Sequence, residues 1–199
     1  GLGDSYFPQL GNSGYDAQHY TIDLDWNERT NALNGTVTML AKAYNDLQGF
    51  NLDFAGFTIS SVLVDGTDAS YERDGRELRV TPATVLKQDE TFEVAVSYSG
   101  IPGKGVANFY DVFAGGWTRH PNGVYVASEP DGSAFWFPVN DHPLDKATYT
   151  FQITVPDKYV VAANGQLKNV DDHADPTTTY IWETSDEMVS YLATVNIGN

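Results

Sequence analysis

Four histidines, no cysteine and 27 acidic side chains are the groups with which this 199-residue chain could do chemistry. A helical zinc site needs two imidazoles at i and i+4, so that both rings face one metal. The residues four positions after His19, His120, His142 and His173 are Asp23, Val124, Lys146 and Thr177, and no His-Glu-x-x-His motif occurs. The spacing therefore predicts no metal ligands and hydrogen-bonded loop histidines instead. Lack of cysteine removes disulfides, thiolate catalysis and Cys-based zinc sites together. No Gly-x-Ser-x-Gly elbow presents a serine nucleophile. Gly103-Lys104-Gly105 resembles a phosphate loop only superficially, because Val106 stands where Ser or Thr would bind magnesium and no earlier Gly has the required spacing. The predicted set of catalytic residues is likewise none.

Carboxylates are the remaining reactive groups. Glu129 with Asp131, Asp141 with Asp145, and Asp171 with Asp172 and Asp175 could form acid/base or calcium sites. With 27 acids in the chain, chance pairs are expected. The Asp171 to Asp175 spacing does not fit a calcium loop and runs into Pro176, which predicts a solvated turn. Asp141 and Lys146 read as turn-forming and surface groups, since an Asp before x-Pro commonly closes its own turn. Trp117, Tyr125 and Trp136 could instead form a stacking platform in an independent carbohydrate-binding module. Core packing accounts for the same rings, each contributing about 1.5–3 kcal/mol on burial.

The net charge of −16, from 27 acids and 11 bases, repels polyanions, and the basic residues are scattered singly. Nucleic-acid and membrane-surface partners are therefore not expected. No apolar run approaches the roughly 20 residues that span a bilayer. The first residue is Gly1, so the chain reads as a processed product or a cut piece, soluble as given. Its acidic, lysine-poor, Asn/Thr/Tyr-rich character points to a secreted or cell-envelope origin, with cytoplasmic as the alternative.

Any site must be positioned by strands. Tyr20, Ile22, Leu24 and Trp26 alternate with Thr21, Asp23 and Asp25, and with Gln18 they define one apolar face of a half-buried strand. Alternation returns in residues 33–44, where Gly35 marks a bulge or close backbone approach, and in 57–64, followed by an Asp65-Gly66 turn. Further predicted strands are 77–81, 91–98, 134–139, 148–155, 159–162, 178–183 and 188–196. Asp74-Gly75, Asn122-Gly123, Asp131-Gly132 and Asn164-Gly165 are hairpin signals. No long amphipathic stripe occurs, and Val85 to Asp89 is the best short helix candidate. The expected fold is one all-β domain over residues 1–199, an antiparallel β-sandwich or a large curved, saddle-like sheet with a smaller covering sheet.

One stretch carries more specific information. Residues 124–151 read Val-Tyr-Val-Ala-Ser-Glu-Pro-Asp-Gly-Ser-Ala-Phe-Trp-Phe-Pro-Val-Asn-Asp-His-Pro-Leu-Asp-Lys-Ala-Thr-Tyr-Thr-Phe. With Tyr15 to Leu24, Tyr98-Ser99-Gly100, Phe109-Tyr110 and Val161 to Gly165, this resembles the N-terminal domain of zinc metallopeptidases of the aminopeptidase N type. The Asn140-Asp141-His142-Pro143 variant is most similar to bacterial, exported members. The family's Gly-x-Met-Glu-Asn strand and His-Glu-x-x-His helix belong to a following catalytic domain and do not occur here.

The resemblance implies a domain that is not itself catalytic and holds no cofactor. Zinc would belong to the missing catalytic domain on which this one packs. It also implies that Glu129 reaches toward the free α-amino group of a peptide substrate. An α-ammonium of pKa ~8 is largely protonated at neutral pH and suits a carboxylate partner. The family's usual Gln two positions before this Glu is replaced by Ala127.

Overall fold

The alternating runs fold as strands in the computed structural model, which describes residues 2–3, 5, 10–103 and 116–199. In chain order these are β1 (Tyr15–Asn27), β2 (Ala32–Ala43), β3 (Phe50–Asp53), β4 (Thr58–Val64), β5 (Thr67–Asp68), β6 (Ser70–Asp74), β7 (Glu77–Thr81) and β8 (Thr91–Gly100). They continue as β9 (Gly116–His120), β10 (Gly123–Ala127), β11 (Lys146–Pro156), β12 (Val160–Ala163), β13 (Gln166–Asp172), β14 (Thr177–Glu183), β15 (Met188–Val189) and β16 (Val195–Gly198). Two 3₁₀ turns, Ser133–Phe135 and Ser190–Leu192, complete the described elements.

The strands form one large and two small sheets. The nine-stranded sheet has the order β13-β14-β11-β1-β2-β8-β4-β5, with β15 also paired to β11. The four-stranded sheet runs β12-β16-β10-β9 and the three-stranded sheet β3-β7-β6. The fold is all-β, as expected, with one departure from antiparallel pairing: β1 and β11 run parallel, His19 beside Thr148 and Asp25 beside Thr154.

Side-chain alternation turns the apolar face of the large sheet toward both smaller sheets. Ile22, Leu24, Met39, Val96, Phe151 and Ile153 share one buried cluster with Val126, Val195 and Ile197 of the four-stranded sheet and Leu52, Leu78 and Val80 of the three-stranded sheet. Aromatic rings fill the middle. Tyr20 stacks on Tyr149 at 5.3 Å and meets the edge of Phe137 at 5.9 Å. Burying such a ring contributes about 1.5–3 kcal/mol, and paired rings add to it.

Several sequence expectations need correcting. A bulge between Ala17 and His19 changes the phase of β1, so Tyr15 and Ala17 take the inner face there and Gln18 does not. Gly35 lies in regular register opposite Leu24, and the close approach is real: a Cβ built there would sit 2.0 Å from the Asp23 carbonyl oxygen. Residues 134–139 are no strand but a 3₁₀ turn and loop, every residue of which is buried. Residues 85–89 form no helix; Leu86 bridges to Leu47 instead. The run 188–196 is broken by the second 3₁₀ turn. Asn164-Gly165 joins strands of different sheets, so it is a crossover turn rather than a hairpin. Asp131-Gly132 leads into the first 3₁₀ turn, not into a paired strand. The Lys104-Gly105 and Phe109-Tyr110 elements lie outside the described residues.

Candidate functional site

β10 delivers the chain to Glu129. Val124 and Val126 point into the core while Tyr125 and Ala127 face outward, and Ser128 then turns inward. The Gly132 amide donates to the Ser128 carbonyl at 2.6 Å and closes a tight turn around Glu129, Pro130 and Asp131. Glu129 and Pro130, joined by a cis peptide bond, are exposed at its tip. Both flanks are buried, with Ser128 at 1% and Asp131 at 5% exposure. The predicted substrate-contacting acid is thus presented to solvent from an anchored turn.

Behind the turn lies a buried ionic cluster to which no spacing in the sequence points. Arg76, in the turn between β6 and β7, donates through Nη1 to Asp131 Oδ2 at 2.8 Å and through Nη2 to the Asp131 carbonyl at 3.3 Å. The same Nη2 reaches Asp141 Oδ2 at 3.4 Å. Arg76 Nε lies 3.7 Å from Asp53 Oδ1, beyond hydrogen-bond reach, and both atoms lack a hydrogen-bond partner. The guanidinium also covers the Phe135 ring at 5.5 Å.

One cation faces three acids, which shapes their ionisation. Burial pushes Asp53 up to about 8, the Asp141 charge adds to this, and Arg76 partly opposes it. Asp141 is likewise raised by burial, against hydrogen bonds from Ser190 and the charge of Arg76. Burial lowers Arg76, and the surrounding carboxylates of Asp53, Asp141 and Asp131 more than reverse that. At neutral pH the cluster therefore holds a proton on an acid rather than three bare carboxylates beside one guanidinium.

Asp141 is consequently not the turn-closing surface group expected from its place before His142-Pro143. It is 2% exposed and accepts from Ser190 Oγ at 2.6 Å as well as from Arg76. Asp145 does not pair with it; it accepts from the Ala17 amide at 3.2 Å and from the Asn140 side chain, and burial raises it to about 7. Lys146 is exposed, as expected.

The histidines are dispersed. His19 contacts Thr148 and Thr150 at 2.8 and 3.1 Å, His120 accepts from the Asn122 amide at 3.4 Å, His142 accepts from the Leu144 amide at 3.1 Å, and His173 contacts Thr179 at 2.7 Å. Among the described residues no group of three or more His, Cys, Asp and Glu side chains could hold a metal ion. The Asp171 to Asp175 acids bond to Asn169, Thr178 and Thr177, the first two acids lying in β13 and only Asp175 in the turn.

The aromatic platform considered for a carbohydrate module is not assembled. Trp117 and Trp136 are 6% and 0% exposed, and their indole NH groups point to Asn31 and Ser128. Only Tyr125 of the three is exposed, at 46%.

Solved structures share this architecture. One is a two-domain M1 zinc metallopeptidase bound to L-arginine, with 29% identity and a TM-score of 0.91 over 99% of this chain. The M1 zinc metallopeptidase from Deinococcus radiodurans gives 28% and 0.88, and a mutant of it bound to a Tyr-Ser-Ala substrate 29% and 0.91, each again over 99% of this chain. The chain spans 45% of the length of each of these proteins. Residues 16–192 match the Peptidase M1 N-terminal domain, and the chain belongs to that family.

Proposed function

We propose that this domain packs against the catalytic domain of a zinc aminopeptidase and supplies Glu129 as the acceptor for the substrate's free α-ammonium group. The observation that carries the reading is the solvent-facing Glu129 carboxylate at the tip of a turn whose flanks are buried. A carboxylate so held pairs with an ammonium through a charge-assisted hydrogen bond, worth roughly 1.5–3 kcal/mol once the cleft is closed. That is about one to two powers of ten in preference for amino-terminal over internal peptide bonds. Zinc, held by the partner domain in this reading, would activate the attacking water. This chain's own part is to select and orient the amine end.

The surface beside Glu129 supports the packing. The outward residues of the four-stranded sheet include Thr118, Tyr125, Ala127, Asn196, Ala162 and Val160, none of them charged, in a chain with 38 charged side chains' worth of acids and bases, 27 and 11. Depletion of charge is the compositional mark of the centre of a protein interface.

The test is made in the complete two-domain protein. Glu129→Gln keeps the size and removes the charge; kcat/KM for an aminoacyl substrate should fall about 10–100-fold, mostly through KM, with bound zinc unchanged. Unaltered kinetics in that variant would remove the amine role.

A further inference from the structure

We infer that Arg76 is a positioning residue for Glu129: by gripping Asp131 it fixes the turn that presents the amine-binding carboxylate, an inference that rests on the function proposed above. Arg76 and Asp131 are 55 positions apart in sequence, on elements that share no strand pairing. The contact joins them through both the carboxylate and the main-chain carbonyl of Asp131. Asp131 is two residues from Glu129 and is the buried end of the same turn.

The other flank is held less firmly. Ser128 Oγ is 3.4 Å from Trp136 Nε1, a long neutral contact, whereas Nη1 of Arg76 meets a carboxylate at 2.8 Å in a site where both side chains are largely buried, at 16% and 6% exposure. Charge-assisted bonds of this geometry are the stronger kind.

Arg76 is itself fixed. Its carbonyl accepts from the Phe54 amide at 2.6 Å, Phe135 lies under the guanidinium, and Asp141 and Asp53 face its remaining edge. Asp53, which faces Arg76 without bonding to it, is itself fixed, since its main chain exchanges hydrogen bonds with Val139 at 2.7 and 3.0 Å. The three-stranded sheet, which carries none of the predicted functional residues, thus sets the coordinates of the one that reaches the substrate. A misplacement of about 1 Å at a substrate-orienting group can cost up to about 10²-fold in rate.

A double-mutant cycle in the complete two-domain protein tests this, with L-arginine 4-nitroanilide as substrate. Arg76→Met and Asp131→Asn should each lower kcat/KM about tenfold, chiefly through KM, and Arg76→Lys should lose less. In the Glu129→Gln background the same two changes should each cost less than about twofold, because the group they position has already lost its function. Equal losses in both backgrounds, or no loss in either, would overturn the inference. If Arg76→Met does not give a folded protein by circular dichroism, Asp131→Asn, which preserves side-chain size, decides alone. If Glu129→Gln by itself changes nothing, the amine-binding reading fails, and the positioning role fails with it; a loss in that variant with additive losses at Arg76 and Asp131 sinks the positioning role only.

Discussion

Asp53 accepts hydrogen bonds on Oδ2 from Asn12 and from the Asp141 amide, while Oδ1 faces Arg76 without bonding to it. Its folded pKa of about 8 stands well above the value near 4 of an unfolded aspartate. Between those values the native chain keeps a proton that the unfolded chain has released. Folding is therefore progressively less favourable as pH rises from about 4 to about 8. Asp145, raised to about 7, and Asp141 act in the same direction. The melting temperature of the chain should accordingly fall between pH 5 and pH 8.5. Scanning calorimetry should find a shallower fall in Asp53→Asn, since the substituted side chain cannot ionise. An unchanged slope would mean that Asp53 is charged in the native state.

Strand β2 lies so close to β1 at Gly35 that even a methyl group would meet the Asp23 carbonyl oxygen. Gly35→Ala should destabilise the chain by about 1–3 kcal/mol, as overpacking does, or roughly 2–4 °C in melting temperature per kcal/mol. Gly198→Ala, which meets nothing within 4 Å, serves as the control and should stay within about 0.5 kcal/mol. Thermal melts of the two variants side by side check both statements. The Gly35 contact was legible in sequence because a glycine interrupted a strong alternation, and the same alternation located β1, β2, β8 and β11. Segments buried on all sides or on none carry no such period. Residues 134–139 are wholly enclosed and β13 wholly exposed, so the sequence suggests a strand at the first that does not form and gives no sign of the second. The site divides in the same way. Glu129 stood out through its sequence context, but the Arg76 cluster joins residues 55 and 65 positions apart, a distance at which no local pattern operates. For the same reason Asp141 reads as a surface group: its compensating cation comes from the turn between β6 and β7.

The distribution of charge belongs to the whole molecule. Acidic residues occupy the open face of the large sheet, as Asp23 and Asp25 do on β1, while the outward face of the four-stranded sheet carries no Asp, Glu, Lys or Arg among its described strand residues and has His120 at its edge. If that face meets a catalytic domain, placing opposite charges on β10 and β12, the two strands that flank β16, should uncouple the two units without unfolding either. The pair Tyr125→Glu with Ala162→Lys should turn a single calorimetric unfolding transition of the complete protein into two; a single transition at the original temperature would locate the contact elsewhere.

The parallel pairing of β1 with β11 constrains how the molecule can form. His19 finds its neighbour Thr148 only after 129 further residues have been added. β1 can zip early to β2, but its other edge must wait, and a waiting edge is an open template for foreign strands. Such long-range closure is slow compared with hairpin formation. During synthesis the half-built sheet would wait roughly 6–26 s for β11 to emerge, at roughly 5–20 residues per second. Chaperone dependence of this domain should therefore centre on that interval, and the exposed flank of β1 is the surface a holdase would cover.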